Sequence, residues 1–370
     1  MPYFDLRPKR NRKDLFNMEE EIKEFTSIIK RKVPLALILG LKRYGKTSLV
    51  LTCLEELKIP YIYIDCRLLP SLGALSINDF TSILIESIPT LARKTRERIY
   101  RYLEKIEGIT IAGIKLRIRP SKIKFQTLLS ILEKINSIDE RIVIVIDEAQ
   151  ELRRITRYRI DSLFAYIYDH LENITLILTG SQIGLLYKLL RKGNPEAPLY
   201  GRAYSEIKLK PFTPKLSIKF LQKGFNEQGL NPPQWFLEKT VEKLDGIVGW
   251  LTYLGFKVCE KRRFDEKIIE EILKEAMAMS IMELEHFLSN RYQARKRYLA
   301  ILKTAAILEN ASWNELYRAA EAKVGRIPKP TYNKIIGNLV DAGFLTKKEK
   351  IYSIPDPVLK EALKSELIKI

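Results

Sequence analysis

Histidine and cysteine are nearly absent from this chain: two histidines and three cysteines occur in 370 residues. Cys53, Cys66 and Cys259 lie far apart, and none belongs to a Cys-x-x-Cys pair. With only His170 and His286 besides, neither a disulfide framework nor a zinc or histidine-rich metal centre can be assembled. Sparse thiols in apolar surroundings fit a reducing, cytoplasmic compartment. Long apolar runs are missing too. None approaches the roughly 18 residues that a membrane-spanning helix needs, so no membrane partner is expected. The opening MPYFDLRPKRNRKDLF is basic and lacks the apolar h-region of a signal peptide. There is no collagen-like, low-complexity or fixed-period repeat.

What is present is apolar and strongly basic. Hydrophobic residues make up 46% of the chain, enough for real cores, and 370 residues predict two or three domains. The net charge of +19 and the pI near 9.6 have two readings. One is a polyanionic partner: nucleic acid, nucleotide or an anionic surface. The other is a thermophilic composition whose charges form surface ion-pair networks.

Short apolar strands alternate with helical patterns over the first 212 residues. Helices are predicted at 18–31, with Ile22, Phe25, Ile28 and Ile29 on one face, at 46–57, at 77–106 opened by Asn78 and Asp79, at 124–136 and at 157–171. Buried strands are predicted at 34–40, 60–66, 141–150, 174–182 and 206–212, with a hairpin over 108–120 turning near Gly113. This alternation predicts an α/β fold, a parallel sheet with helices on both faces and ligands at the carboxyl edge of the strands. From 215 to 290 the pattern is helical, interrupted by GIVGWLTYLG at 246–255. Helices at 295–308, 312–323 and 330–343, then two short strands, predict the order of a winged helix-turn-helix.

Gly40-Leu41-Lys42-Arg43-Tyr44-Gly45-Lys46-Thr47 fits G-x-x-x-x-G-K-[ST] between a strand and a helix, which is the Walker A context. Glycines let main-chain amides curl around a phosphate, and the following helix adds its positive end. Lys46 then reaches the outer phosphates, the Thr47 hydroxyl coordinates Mg²⁺, and Ser48 lies in the first helical turn near the same phosphates. IVIVIDEAQ is the matching Walker B strand: Asp147 for the Mg²⁺ shell and Glu148 as general base for the attacking water. In LILTGSQ, Thr179 or Ser181 would sense the terminal phosphate, or serve ordinary turn chemistry. Arg202, before the strand at 206–212, is either an arginine finger toward the γ-phosphate of its own or a neighbouring subunit, or a solvated surface charge.

Together the loop at 40–47, IDEAQ at 146–150, TGSQ at 179–182 and PLYGR with KPF at 198–212 resemble the archaeal P-loop ATPases of the AAA+/STAND group. GIVGWLTYLG resembles that group's glycine-rich lid motif, although Ile247 and Val248 stand where many members carry a proline. RPKRNRKDLFNMEEEI resembles its adenine-side box. The resemblance implies a core over 1–212, a helical lid over 213–290 and a winged helix over 291–370. It also implies a nucleotide-facing Arg202, and Leu15 and Phe16 near the base; an apolar pair before a helix is otherwise core or a hydrophobic staple.

Residues 291–370 carry sixteen Lys and Arg against eight Asp and Glu, net +8. Lys329, Tyr332, Asn333, Lys334, Lys347, Lys348 and Lys350 are the candidate contacts to double-stranded DNA, giving salt-dependent affinity. The segment otherwise serves as a protein-interaction or autoinhibitory module. The leading expectation is a Mg-dependent ATPase that binds ATP/ADP and acts as a nucleotide-dependent switch. The alternative is a DNA-binding regulator in which the nucleotide is a structural ligand with negligible turnover.

Overall fold

The computed structural model describes residues 3–70, 73–106, 109–113, 115–118, 124–365, 367 and 368. The chain divides into two compact units: Lys9–Leu41 with Lys46–Leu209, and Met1–Pro8 with Lys42–Gly45 and Lys210–Ile370.

The first unit carries, in chain order, α1 (Glu19–Lys30), β1 (Leu35–Leu39), α2 (Lys46–Leu57), β2 (Tyr61–Asp65), α3 (Ile77–Ser87), α4 (Arg93–Leu103), β3 (Ile109–Ala112), β4 (Lys115–Ile118), α5 (Phe125–Asn136), β5 (Ile142–Asp147), α6 (Ile160–His170), β6 (Ile174–Gly180), α7 (Ile183–Leu189) and β7 (Ser205–Lys208). Five strands form one parallel sheet in the order β2-β5-β6-β1-β7. Every residue of β1, β5 and β6 is buried, the signature of interior strands covered on both faces. The expected hairpin over 108–120 is the antiparallel pair β3–β4; residues 108, 114, 119 and 120 of that expectation lie outside the described residues. In the sheet register Asp147 lies beside Asp65, and Leu39 beside Gly180. One edge of the sheet thus gathers the ends of β1, β2, β5 and β6.

Several expectations for this unit need correction, among them the buried strand at 206–212, which is the edge strand β7 with only Ile207 buried. The strand at 60–66 is not buried: β2 is an edge strand whose Ile62 and Ile64 are buried while Tyr61, Tyr63 and Asp65 are half-exposed. The helix expected over 77–106 is two helices. Pro89, in the turn Ile88–Thr90, lacks the N–H a continuous helix needs. The cap of α3 is Ser76, whose hydroxyl accepts the Asp79 N–H while the Asp79 carboxylate accepts the Ser76 N–H.

The second unit contains α8 (Pro214–Asn226), α9 (Gln234–Leu244), α10 (Val248–Lys261), α11 (Glu266–Ser289), α12 (Arg295–Leu308), β8 (Ala311–Ser312), α13 (Trp313–Val324), α14 (Lys329–Asp341), β9 (Thr346–Lys348), β10 (Ile351–Ser353) and α15 (Pro357–Lys364). The interruption at 246–255 is confined to its start: Gly246 and Ile247 separate α9 from α10, which takes up the segment from Val248. Trp250, Leu251, Leu254 and Val258 give α10 a buried face at helical spacing. Gly249 and Gly255 lie inside α10 as close approaches. A Cβ on Gly249 would lie 2.5 Å from the Arg43 Cβ, and one on Gly255 would lie 2.3 Å from the Phe4 ring. Three strands in the order β8-β10-β9 pair antiparallel among α12–α15. Sequence patterning missed β8, α7 and α15. It also offered Tyr332 as a surface contact, but that residue is fully buried against Trp313 and Tyr317. Lys329, Asn333, Lys334, Lys347, Lys348 and Lys350 are exposed.

Candidate functional site

The loop after β1 reaches α2 through Gly45, whose φ of +88° lies in the left-handed region that favours glycine. Lys46 opens α2 and is buried. Its ammonium donates to the Gly40 carbonyl at 2.8 Å and the Leu41 carbonyl at 3.1 Å, and lies 4.0 Å from the Glu148 carboxylate. Thr47, next along α2, donates its hydroxyl to Asp147 Oδ2 at 3.3 Å.

Asp147, at the end of β5, is almost fully buried. Thr179 of β6 donates to its Oδ1, and the Tyr63 phenol of β2 donates to its Oδ2 at 2.6 Å. Arg67 Nη2 lies 3.6 Å from the same Oδ2. Burial and the neighbouring Asp147 carboxylate push the Tyr63 phenol well up, so it stays a donor.

Glu148 follows in the left-handed region at φ +53°. Its N–H donates to Thr179 Oγ1 at 3.1 Å, and its carboxylate accepts from Ser181 Oγ, from the Ser181 N–H at 3.2 Å and from Gln150 Nε2. Burial alone would push this carboxyl up. The charge of Lys46 and the hydrogen bonds from Ser181 and Gln150 outweigh it and hold the group below its ordinary value, so it is ionised at neutral pH. Lys46, Thr47, Asp147, Glu148, Thr179 and Ser181, all singled out from sequence, therefore converge on one edge of one sheet.

The other candidates lie elsewhere. Ser48 accepts the Lys9 N–H at 3.1 Å. Leu15, half-buried, and Phe16, buried, follow the short turn Arg12–Asp14. Arg202 is held by Asp169, with contacts of 2.8 and 2.6 Å, and by the Pro198 carbonyl. The middle of the loop, Lys42–Gly45, belongs to the second unit. There Arg43 makes a two-pronged contact with Glu283 of α11 at 2.6 and 3.3 Å, lies 3.8 Å from the centre of the Trp250 ring, and accepts the Gly249 N–H on its carbonyl at 2.9 Å. Lys42 Nζ reaches the same Glu283 at 3.2 Å, while Tyr44 is buried. These contacts hold Arg43 at φ +67°, a backbone that costs a non-glycine residue about 1–2 kcal/mol.

Sequence reasoning missed Tyr63, Arg67, Gln150 and Glu283. For Tyr63 a signal existed: Tyr61, Tyr63 and Asp65 alternate with Ile62 and Ile64, the pattern of an edge strand with one polar face.

Thr47 and Asp147 supply hard oxygens of the kind Mg²⁺ takes. Among the described residues no group of three or more His, Cys, Asp and Glu could hold a metal. The arrangement fits an ion that keeps most of its shell from water and substrate phosphates, as Mg²⁺ does.

A parallel sheet, a G-x-x-x-x-G-K-T loop between β1 and α2, and a buried Asp-Glu pair two strands away define a P-loop nucleotide triphosphatase fold. Residues 15–254 match the family ATPase_2, an ATPase domain predominantly from Archaea. The chain belongs to this family. It is also similar, at 32% identity and a TM-score of 0.82, to the Walker-type ATPase PABY2304 of Pyrococcus abyssi, over 99% of this chain and 100% of that one. The ORC1 protein of Aeropyrum pernix, solved in complex with DNA, gives 14% identity and a TM-score of 0.48 over 99% and 96% of the two chains. The Holliday junction branch migration motor RuvB of Thermotoga maritima gives 15% and 0.46 over 96% and 97%. These two scores are too low to bear on partners. No curated protein matches the chain. No helix among the described residues is long and apolar enough to cross a membrane.

Proposed function

We propose that this chain is a cytoplasmic, Mg²⁺-dependent ATPase that works as a nucleotide-dependent switch of the AAA+/STAND group. The observation that carries the reading is the convergence of Thr47, Asp147 and Glu148, with the Thr47 hydroxyl 3.3 Å from Asp147 and Lys46 4.0 Å from Glu148. Gly40, Gly45 and the main chain of Lys42, Arg43 and Tyr44 cradle the phosphates of ATP or ADP. The side chains of Lys42 and Arg43 serve Glu283 instead. Lys46 and Ser48 face the phosphates, Ser181 lies beside the terminal one, and Leu15 and Phe16 border the base. Thr47 and Asp147 hold the cation. When bound, Mg²⁺ neutralises charge on the β- and γ-phosphates.

The remaining chemistry belongs to the chain. Glu148, ionised and fixed by Ser181 and Gln150, orients the attacking water and accepts its proton. Arg202 acts on the γ-phosphate once it leaves Asp169, in its own or a neighbouring subunit. The domains of this reading are a core over 1–212, a lid over 213–290 and a winged helix over 291–370. The last takes its support from three helices followed by a hairpin, with β8 completing a small sheet. In this reading the lid responds to nucleotide state; within its unit Lys42 and Arg43 are bonded to α10 and α11.

The test is nucleotide binding and turnover of wild type, Lys46→Ala and Glu148→Gln. Lys46→Ala should lose ATP affinity. Glu148→Gln should still bind ATP while kcat falls about 10²–10⁴-fold. A wild type that binds no ATP with Mg²⁺ ends the proposal.

A second reading is favoured by the exposed Lys329, Lys334, Lys347, Lys348 and Lys350 on α14 and the β9–β10 hairpin. In it the winged helix binds double-stranded DNA and the nucleotide is a structural ligand with negligible turnover. Duplex affinity with a steep negative salt slope, together with ATP binding without measurable hydrolysis, supports it, and no duplex binding at low salt removes it.

A further inference from the structure

Asp147 carries more partners than holding one cation requires. A carboxylate this buried needs its lone pairs satisfied or its charge offset. Thr179 satisfies Oδ1. Oδ2 faces three groups at once: the Tyr63 phenol at 2.6 Å, the Thr47 hydroxyl at 3.3 Å and the Arg67 guanidinium at 3.6 Å. The Tyr63 phenol and the Thr47 hydroxyl thus meet on one oxygen of Asp147.

The edge strand β2 sets this up. Tyr63 and Asp65 share a face by the period-two alternation, and the register puts Asp65 beside Asp147. Asp65 then anchors Arg67 through three contacts: its main-chain N–H at 3.0 Å, Nε at 2.8 Å and Nη2 at 2.7 Å. The Arg67 side chain is 61% exposed, so its own charge stays solvated if it swings away from Asp147.

We infer that Tyr63 is a positioning residue for the divalent cation, aligning Asp147 for it beside Thr47, and that Arg67 is a tethered counter-ion that competes with that cation for Asp147. This rests on the assignment of Thr47 and Asp147 as the cation-holding pair. Tyr63 sets the direction of the Asp147 lone pairs. Arg67 offsets the Asp147 charge until a divalent cation replaces it, and keeps its contacts with Asp65.

The test is the Mn²⁺ affinity of the protein bound to a nonhydrolysable ATP analogue, measured by electron paramagnetic resonance on the full chain. Analogue affinity in EDTA and thermal melts accompany each variant. Tyr63→Phe should weaken Mn²⁺ binding about tenfold, the usual scale for losing a partner of a metal ligand. Arg67→Gln should tighten it about threefold, as removal of an exposed competing charge does. Neither should change analogue affinity in EDTA. Loss of folding would appear in the melts, and Tyr63→His, which keeps a ring with a donor, should then recover part of the Mn²⁺ affinity. Unchanged Mn²⁺ affinity in either Tyr63→Phe or Arg67→Gln overturns the inference. Asp147→Asn separates the two levels. If it weakens Mn²⁺ binding while Tyr63→Phe does not, this inference alone fails. If Asp147→Asn binds Mn²⁺ like wild type, the cation-holding assignment fails and takes this inference with it.

Discussion

Arg43, in the middle of the phosphate-binding loop, is bonded at 2.6 Å to Glu283, 240 positions away in the chain. Glu283 also takes Lys42, so one carboxylate answers two cations of the loop. Burial would push this carboxyl up; the charges of Lys42 and Arg43 and their hydrogen bonds hold it below its ordinary 4.5. Glu283→Ala should destabilise the protein by about 1–2 kcal/mol, because the shielded guanidinium loses its partner. A depressed carboxyl stabilises above its unfolded value, and that contribution is lost as pH falls through the folded one. The gap between wild type and variant in denaturant melts should thus be full at pH 7 and shrink below pH 4.5. A gap that widens on acidification contradicts the pairing.

Phe4 is fully buried, and its ring lies where a Cβ on Gly224 or Gly255 would sit. Phe4→Ala should cost about 3–4 kcal/mol. Gly255→Ala should cost about 1–3 kcal/mol through overpacking. Combined, they should cost less than the sum, since the truncated ring frees the space the new methyl needs. Additive melting shifts would mean that the glycine is not there for the ring.

Arg202 and Asp169 form a pair that is only partly shielded, so its own contribution to stability is small. If Arg202 serves the γ-phosphate, Arg202→Ala should lower kcat by about 10³-fold. Asp169→Asn should leave kcat within about twofold, a margin of roughly 0.4 kcal/mol. Equal losses in the two variants would make the arginine purely structural.

Lys347 and Lys348 are exposed on β9. If this hairpin meets DNA phosphates, each change to Ala should weaken duplex binding across all sequences and lower the slope of log affinity against log salt by about 1. A salt series with a 20-base-pair duplex reads this directly. Slopes identical to wild type exclude the hairpin from the contact.

The local grammar of the chain was decisive for much of the fold. LALIL, a short apolar run closed by glycine, reads as an interior strand; GxxxxGKT names its own turn; IVIVIDE places two acids at a strand end. Each follows from interactions within a dozen residues. Where local signals were ambiguous the reading slipped: GIVGWLTYLG read as an interruption although it is helix from Val248, because the atoms filling the missing Cβ positions of Gly249 and Gly255, from Arg43 and Phe4, are remote in sequence. The same holds for the partners of charge. Nothing near Arg43 announces Glu283, nothing near Asp147 announces Tyr63, and nothing near Arg202 announces Asp169. In a chain with 64 basic and 45 acidic residues, sequence leaves the pairing of cations with acids open. Packing decides it, because Coulomb energy falls with distance and rises with burial, and both are set only when the elements meet.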